Sequence, residues 1–443
     1  MYIKYGLMFK VIVSNINEKW KEKNDLLTDC SGGNFDIVLN PRKTFQTHQG
    51  FGGAFTDATV ENFKQLSKEE QDKFIDAYFS KNGLCYNLGR YPIHSTDFSS
   101  YSYDYLKDNS RNIEDIDIEK NRDKIELVNR CQNVSGGLEI MMSVWSPFAW
   151  MKDNNSLYHG GHLKSEYFDT WSSYLAQIAG ILKQQNINIK MITSQNEPQA
   201  VQTWESCIYS AKDEGVFVNH LYKHLSDRKL DDVKIYLVDH NRDLLPDRVV
   251  EIMKYCTAPI YGVAYHWYDH ACFNNLTKTH ELYPDVHLIM SECCVELLVD
   301  HNPIGSIKHA EQYAYEIIND LNNYSEGYID WNLLLNEQGG PNHVGNYCES
   351  PIMMDGKIKK INLLPTYYYI GHFSKFIDVG AERIETENSS NLYAVSYLNK
   401  AGEIVAVILN NQDEDKTVDL DFAGVYKTLV IPSHSIITII HNK

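Results

Sequence analysis

Residues 190–198 read KMITSQNEP. A short apolar run stops at Gln195, Asn196 and Glu197, and Pro198 closes it. Proline fixes φ and has no N–H to donate, so it cannot sit in the interior of a sheet. The run predicts a buried strand that ends by presenting an amide and a carboxylate. That ending suits a strand carrying a working acid to a pocket. It suits equally a strand that is leaving the core.

The same texture recurs along the chain at 50–55 (GFGGAF), 86–92 (YNLGRYP), 139–145 (EIMMSVW), 233–238 (VKIYLV), 262–267 (GVAYHW), 286–291 (VHLIMS) and 328–335 (YIDWNLLL). Most of these runs are continuous rather than alternating, as in parallel strands covered on both faces. Helical patterns lie between them. Ser67 with Glu70 forms a capping box ahead of FIDAYF, and 169–185 and 306–322 carry apolar residues at helical spacing. Eight strand–helix units predict an α/β fold, a (β/α)8 TIM barrel with insertions. A doubly wound sheet is the alternative.

Beyond Lys375 the segments NLYAVSYLN, EIVAVILNN, KTVDLDF and SIITIIHN are short, β-branched and separated by turn residues. They predict an antiparallel β-sandwich. FDIVLN, before Gly50, has the same texture and is assigned to that sandwich. The expected organisation is N-terminal sandwich strands over 1–48, a catalytic barrel over 49–374 and the sandwich domain over 375–443.

Composition narrows the function. The chain of 443 residues carries a formal net charge of −18, which repels phosphate backbones and anionic membrane surfaces and so argues against nucleic acid as a partner. No apolar run is long enough to span a bilayer, so stable membrane insertion is not expected. The opening MYIKYGLMFKVIVSN is broken by Lys10 and does not read as a secretory signal, and Met8 is an alternative start. The nine cysteines form no CxxC pair and no metal-ligand spacing. Reduced thiols in a cytoplasm fit this pattern, with secretion the alternative for a processed form. The oligomeric state is left open.

In a barrel of this class the chemistry sits at the C-terminal ends of the strands. Thr56 and Asp57 follow the first run and Arg90, His94 and Asp97 end the second. Trp145 ends the third, Asn196 and Glu197 the fourth, and Asp239 and His240 the fifth. His266, Trp267 and Tyr268 end the sixth, Glu292 follows the seventh, and Trp331 lies in the eighth. Arg90, in an apolar run, requires a carboxylate partner, for which Asp57 and Asp97 are candidates. Alone, Glu197 and Glu292 could be solvated strand ends, His266 a structural histidine, and Trp145 and Trp331 core aromatics. Together they form two carboxylates facing an aromatic pocket, which is what glycoside hydrolysis requires: one carboxyl protonated, the other ionised. No glycine-rich phosphate loop is present, because GFGG lacks both the GK[ST] ending and the GxGxxG spacing.

Seven motifs in order, GFGGAFTDA, YNLGRYPIHSTDFS, SQNEPQ, VAYHWY, SECCVE, DWNLLLNEQGGPN and GHFSKFI, resemble glycoside hydrolase family 30, and within it the lysosomal acid β-glucosidase (glucosylceramidase) branch. The resemblance runs from about Gln49 to the C-terminus. It implies a barrel with an appended sandwich and a retaining mechanism without metal or organic cofactor. Glu197 falls at the acid/base position and Glu292 at the nucleophile position. Arg90, Asp97, Trp145, Asn196, His266, Tyr268, Trp331 and Asn342 are assigned to substrate binding, with Asn196 on the 2-hydroxyl and Tyr268 supporting the nucleophile. The acid/base Glu197 is expected to have a raised pKa. His343 stands where that branch carries a tryptophan after GGPN. The substrate is a carbohydrate or glycolipid, and the reading is an exo-acting β-glucosidase on glucosylceramide-type or small β-glucosides. The alternatives are an endo-acting β-1,6-glucanase or xylan-directed hydrolase, and a non-catalytic carbohydrate-binding protein.

Overall fold

The computed structural model describes residues 9–108 and 110–442. The reading of Met8 as an alternative start falls on residues outside those described. Eight parallel strands close into a barrel in chain order: Gly50–Ala54, Leu88–Ile93, Glu139–Val144, Ile189–Thr193, Lys234–Asn241, Gly262–His266, His287–Glu292 and Ser325–Asn332. The eighth pairs back onto the first, with Gly327 opposite Gly50 and Asn332 opposite Ala54. A closed sheet leaves no edge, which rules out the doubly wound alternative. The eighth strand begins at Ser325 rather than at 328, so Trp331 sits inside the ladder and 333–335 lie beyond it.

Leu88, Met141, Met191, Tyr236, Ala264, Ile289 and Ile329 fill the barrel interior. The first strand must run close to the second. A Cβ on Gly52 would lie 2.0 Å from the Leu88 carbonyl oxygen, so only glycine fits there. Outside the barrel, helices such as Phe168–Gln184, Ala211–Asp227 and Ile307–Asn322 bury one apolar stripe each. Ser67 caps the helix Lys68–Phe79 through the Glu70 N–H at 3.3 Å. The Glu70 carboxylate does not complete the predicted box. It accepts instead from Lys73 at 2.9 Å and from the Ile361 N–H at 3.1 Å, because the strand Lys360–Leu363 brings an unpaired donor to it.

Among the described residues the second sheet has ten strands, and it mixes both ends of the chain. Phe9–Ser14 pairs antiparallel with Ser435–His441, and Ile37–Thr47 lies between Glu382–Asn388 and Lys416–Phe422. Pairing is antiparallel except where Lys416–Phe422 runs parallel to Ile37–Thr47. Register shifts where Ile37–Thr47 meets Glu382–Asn388 bend the sheet. Its inner face, with Val11, Val13, Leu39, Ile404, Ile408 and Ile437, closes a core separate from that of the barrel. The sandwich is fixed to the barrel through the helix Pro365–Ser374. There buried His372 bonds Ser14 and Thr438 at 2.8 and 2.7 Å, and Trp20 donates to the Tyr368 carbonyl at 2.8 Å.

Candidate active site

The fourth strand ends at Thr193, and its chain then crosses the barrel mouth. Asn196 N–H donates to the Val144 carbonyl and Glu197 N–H to the Asp239 carbonyl, each at 2.9 Å. Glu197 itself adopts φ +45°, a left-handed conformation that costs about 1–3 kcal/mol away from glycine. The strain turns the Glu197 side chain into a cavity of about 240 Å3. Asp97, Trp145, Asn196, Tyr268, Glu292 and Trp331 line the same cavity.

Beneath this floor lies a fully buried ion network. Arg90 donates from Nη1 to Glu292 Oε2 at 2.5 Å, and from Nη2 to Asp239 Oδ2 at 2.7 Å and Asn196 Oδ1 at 2.9 Å. Asp57 and Asp97, the carboxylates expected to pair with Arg90, are thus not its partners. Asp57 instead pairs with Lys124 at 2.8 Å, and Asp97 accepts from Asn346 Nδ2 at 3.2 Å. The reason is topological: Arg90 points into the barrel, toward carboxylates from the fifth and seventh strands.

Asp239 is the residue that strand-end reading noticed without giving it a task. Val238 and Asp239 have φ of +74° and +49°, and the ladder to the sixth strand shifts register there. This bulge turns Asp239 inward, where it accepts from Arg90, Thr193 at 2.7 Å and Ser291 at 2.6 Å. Burial would raise its pKa, but Arg90 and His266 hold it well below the usual carboxylate range.

His266 is fully buried behind the cavity rather than lining it. Its Nε2 lies 3.0 Å from Asp239 Oδ1, and its Nδ1 lies 3.3 Å from Glu197 Oε1 and 4.0 Å from Glu292 Oε1. Burial would lower the imidazole, but Glu292, Asp239 and Glu197 raise it to about 9. At Glu197 burial is outweighed by the hydrogen bond from His266 and the charges of His240 and His266, which carry the carboxyl below its ordinary value. At Glu292 burial, with repulsion from Glu197 and Asp239, outweighs His266 and Arg90 and leaves the carboxyl above it. The expectation of a raised Glu197 therefore meets a different arrangement. The raised imidazole of His266 favours a proton there, one hydrogen bond away from Glu197.

Tyr268 donates its hydroxyl to Glu292 Oε1 at 3.1 Å. Trp145 and Trp331 stack on each other with centroids 5.0 Å apart, and the Arg90 guanidinium lies over both rings. Asn342 does not line the cavity. Its Oδ1 accepts from the Val344 and Asn346 N–H groups and its Nδ2 donates to the Asn346 carbonyl, so it shapes its own turn. Asn346 takes the place in the lining that was assigned to Asn342. His343 turns away, with Nδ1 at 3.0 Å from the Ser99 carbonyl. Gln202, Trp204, His240, Glu296, Cys294 and Cys348 also line the cavity. Gln202, Trp204 and Cys294 stand on loops, and Glu296 and Cys348 on two-residue strands, where no periodicity marks them; His240 lies at the end of the fifth barrel strand.

Glu197, His266 and Glu292 bring one ligating atom each within 4.8 Å of one another, the one such group among the described residues. The Arg90 guanidinium on Glu292 already supplies the positive charge that a metal would bring. The arrangement offers a held carboxylate, a second carboxyl beside a proton store, and an amide whose oxygen is fixed by Arg90 so that its NH2 is free for a ligand.

The chain matches the Glycosyl hydrolase family 30 TIM-barrel domain over residues 48–377 and the Glycosyl hydrolase family 30 beta sandwich domain over residues 380–439. It is 32% identical to the lysosomal acid glucosylceramidase of Mus musculus over 91% of this chain and 82% of the mouse protein. It is 26% identical to the endo-1,6-beta-D-glucanase BGN16.3 of Trichoderma harzianum over 88% of this chain and 83% of that one. Among solved structures, SrfJ from Salmonella typhimurium superposes with a TM-score of 0.91 at 30% identity, covering 98% of this chain and 100% of SrfJ.

Proposed function

The chain belongs to glycosyl hydrolase family 30, and on that premise we propose that it is a retaining β-glycosidase that removes a terminal β-glucosyl residue. The observation that carries this reading is the closeness of the two carboxylates across the cavity, with oxygens of Glu197 and Glu292 within 4.8 Å. Retaining enzymes hold their carboxyl groups about 5–5.5 Å apart, whereas inverting ones need about 6.5–9.5 Å to admit water between them.

Glu292, ionised and held by Arg90 and Tyr268, attacks the anomeric carbon. The proton held between His266 Nδ1 and Glu197 Oε1 is delivered by Glu197 to the leaving oxygen, and the aglycone departs. Glu197, now a carboxylate, takes a proton from water, whose oxygen attacks the anomeric carbon and releases Glu292. Asn196, with its Oδ1 on Arg90, offers its NH2 to the 2-hydroxyl, and Asp97 accepts from a ring hydroxyl.

A cavity of about 240 Å3 lies below the roughly 300–1,000 Å3 of drug-sized sites. That size favours one sugar ring over a long polymer and supports exo action against the endo alternative. The aglycone is read from the surroundings: Val201 is 60% exposed beside the lining residue Ala200, and Leu298 and Val299 are 65% and 69% exposed beyond the lining residue Glu296. Such apolar surface favours a glucosylceramide-type aglycone, with small aryl or alkyl β-glucosides as the second class. All nine cysteines are free, which fits work in a reducing cytoplasm.

A mechanism-based 2-fluoro-β-glucoside tests the assignment. Peptide mass spectrometry is expected to find the covalent sugar on Glu292, and labelling of another residue would overturn it. Fluorescent glucosylceramide, assayed beside aryl β-glucoside, xyloside, fucoside and galactoside and a β-1,6-glucan, reads the substrate. Release of oligosaccharides from the glucan would establish the endo reading instead.

A further inference from the structure

Two cysteines stand in the wall of the same cavity, and glycoside cleavage gives them no task. Cys294 Sγ lies 3.2 Å from Cys348 Sγ. Both side chains line the cavity and are otherwise buried, at 3% and 1% exposure. The backbone holds them together: Val295–Glu296 and Cys348–Glu349 form an antiparallel ladder, with Glu296 opposite Cys348. A disulfide needs sulfurs about 2.0 Å apart, so closure asks for a shift of roughly 1 Å rather than a rearranged loop.

Cys294 is also tied to the reacting carboxylate. The Tyr268 hydroxyl that donates to Glu292 Oε1 lies 3.4 Å from Cys294 Sγ. Whatever moves this sulfur acts on the group that steadies Glu292.

We propose that Cys294 and Cys348 are a modification site, closing into an intramolecular disulfide by exchange with low-molecular-weight disulfides, and that closure slows the reaction at Glu292. In the first step the Cys294 thiol loses its proton to solvent and attacks a sulfur of the small disulfide, forming a mixed disulfide and releasing one small thiolate. In the second the Cys348 thiol loses its proton and attacks Cys294 Sγ, forming the protein disulfide and releasing the other thiolate. The protein is oxidised by two electrons and the small disulfide is reduced to two thiols. Closure draws Cys294 Sγ toward Cys348 and away from Tyr268. Burial pushes both thiols up, so the exchange is slow at neutral pH and quickens as pH rises.

The part of this inference that concerns activity rests on the glycosidase reading; the cross-link itself does not. The whole protein is incubated with excess hydroxyethyl disulfide at pH 8.5, digested without reduction and mapped by mass spectrometry, with β-glucosidase activity followed in parallel. A Cys294–Cys348 cross-linked peptide is expected, with activity falling about tenfold, the scale of one lost hydrogen bond to a charged group, and returning with dithiothreitol. Fractional cross-linking must track fractional loss of activity in the same samples. The double variant Cys294→Ser with Cys348→Ser, normalised to its own untreated activity, is expected to resist. Absence of the cross-linked peptide overturns the site. A cross-link without loss of activity, or an equal loss in the double variant, overturns its effect on the reaction. If that variant does not fold, the correlation in the unaltered protein still decides. A protein that cross-links yet shows no glycosidase activity before treatment counts against the glycosidase reading alone.

Discussion

Nδ1 of His266 lies 3.3 Å from Oε1 of Glu197, while the opposite nitrogen of the same ring is held 3.0 Å from Asp239. The two contacts fix the ring and give it one face toward a catalytic candidate. A histidine raised to about 9 stays charged through neutral pH, so it lowers Glu197, and on the proposed mechanism it stores the proton that Glu197 hands over.

The pH profile follows from this pair. Activity as kcat/KM is expected to rise on the acid side as Glu292 ionises, above the ordinary glutamate value, and to fall on the alkaline side near pH 9 as His266 loses its proton. His266→Asn removes the positive charge that lowers both carboxyls. The acid limb should then move up, the alkaline limb should pass to Glu197 and move down, and the bell should narrow from both sides. Rates measured from pH 4 to pH 10 check it, and an unmoved alkaline limb would show that the proton store lies elsewhere.

On the proposed mechanism, Glu197→Ala removes the proton donor and leaves the nucleophile. Glycosides with poor leaving groups are expected to react about 10²–10⁴-fold more slowly, while aryl glycosides with activated leaving groups are spared in the first step. Azide should restore turnover of the activated substrates and give a β-glycosyl azide identified by NMR. An α product would contradict double displacement.

Arg90→Lys keeps a charge and loses the fork. Lysine cannot serve Glu292, Asp239 and Asn196 together as the guanidinium does. Breaking a buried pair costs about 3–5 kcal/mol, so a marked fall in thermal midpoint is expected together with loss of activity. Calorimetry and kcat on the purified variant separate the two effects.

Three buried histidines contribute to the loss of stability in acid. Burial lowers His48 to about 4 and His94 and His372 to about 3. Their folded values lie below the unfolded value of about 6.5, so the unfolded chain binds more protons in acid. Their contribution to stability is complete above about pH 6.5 and is lost as pH falls, at up to about 1.4 kcal/mol per pH unit for each. His48→Leu is expected to flatten this slope in a thermal-midpoint titration from pH 7 to pH 4.

Much of the fold was legible because each strand declares itself locally. A run such as KMITSQ needs only its apolar continuity and the following Pro198 to be read as a buried strand. Glu197 and Glu292 were legible in the same way, as carboxylates at strand ends. The partner of Arg90 was not, because pairing across the barrel joins residues 149 and 202 positions apart and no local pattern records which side chain points inward. Asp239 was visible as a strand end but its task was not, because a bulge reverses the facing that strand alternation would assign. Asn342 was misplaced for a related reason: its side chain is consumed by its own turn, and Asn346 reaches the cavity instead.

The sequence alone determined the kinds of element, their order and the placing of Glu197 and Glu292 near strand ends, since these follow from short-range patterns of polarity. Only the tertiary structure decided how charge and protons are shared among Arg90, Asp239, His266, Glu197 and Glu292, and that Cys294 and Cys348 touch. Those properties depend on distances between strands that meet only when the barrel closes, and electrostatic coupling grows as distance shrinks and water is excluded.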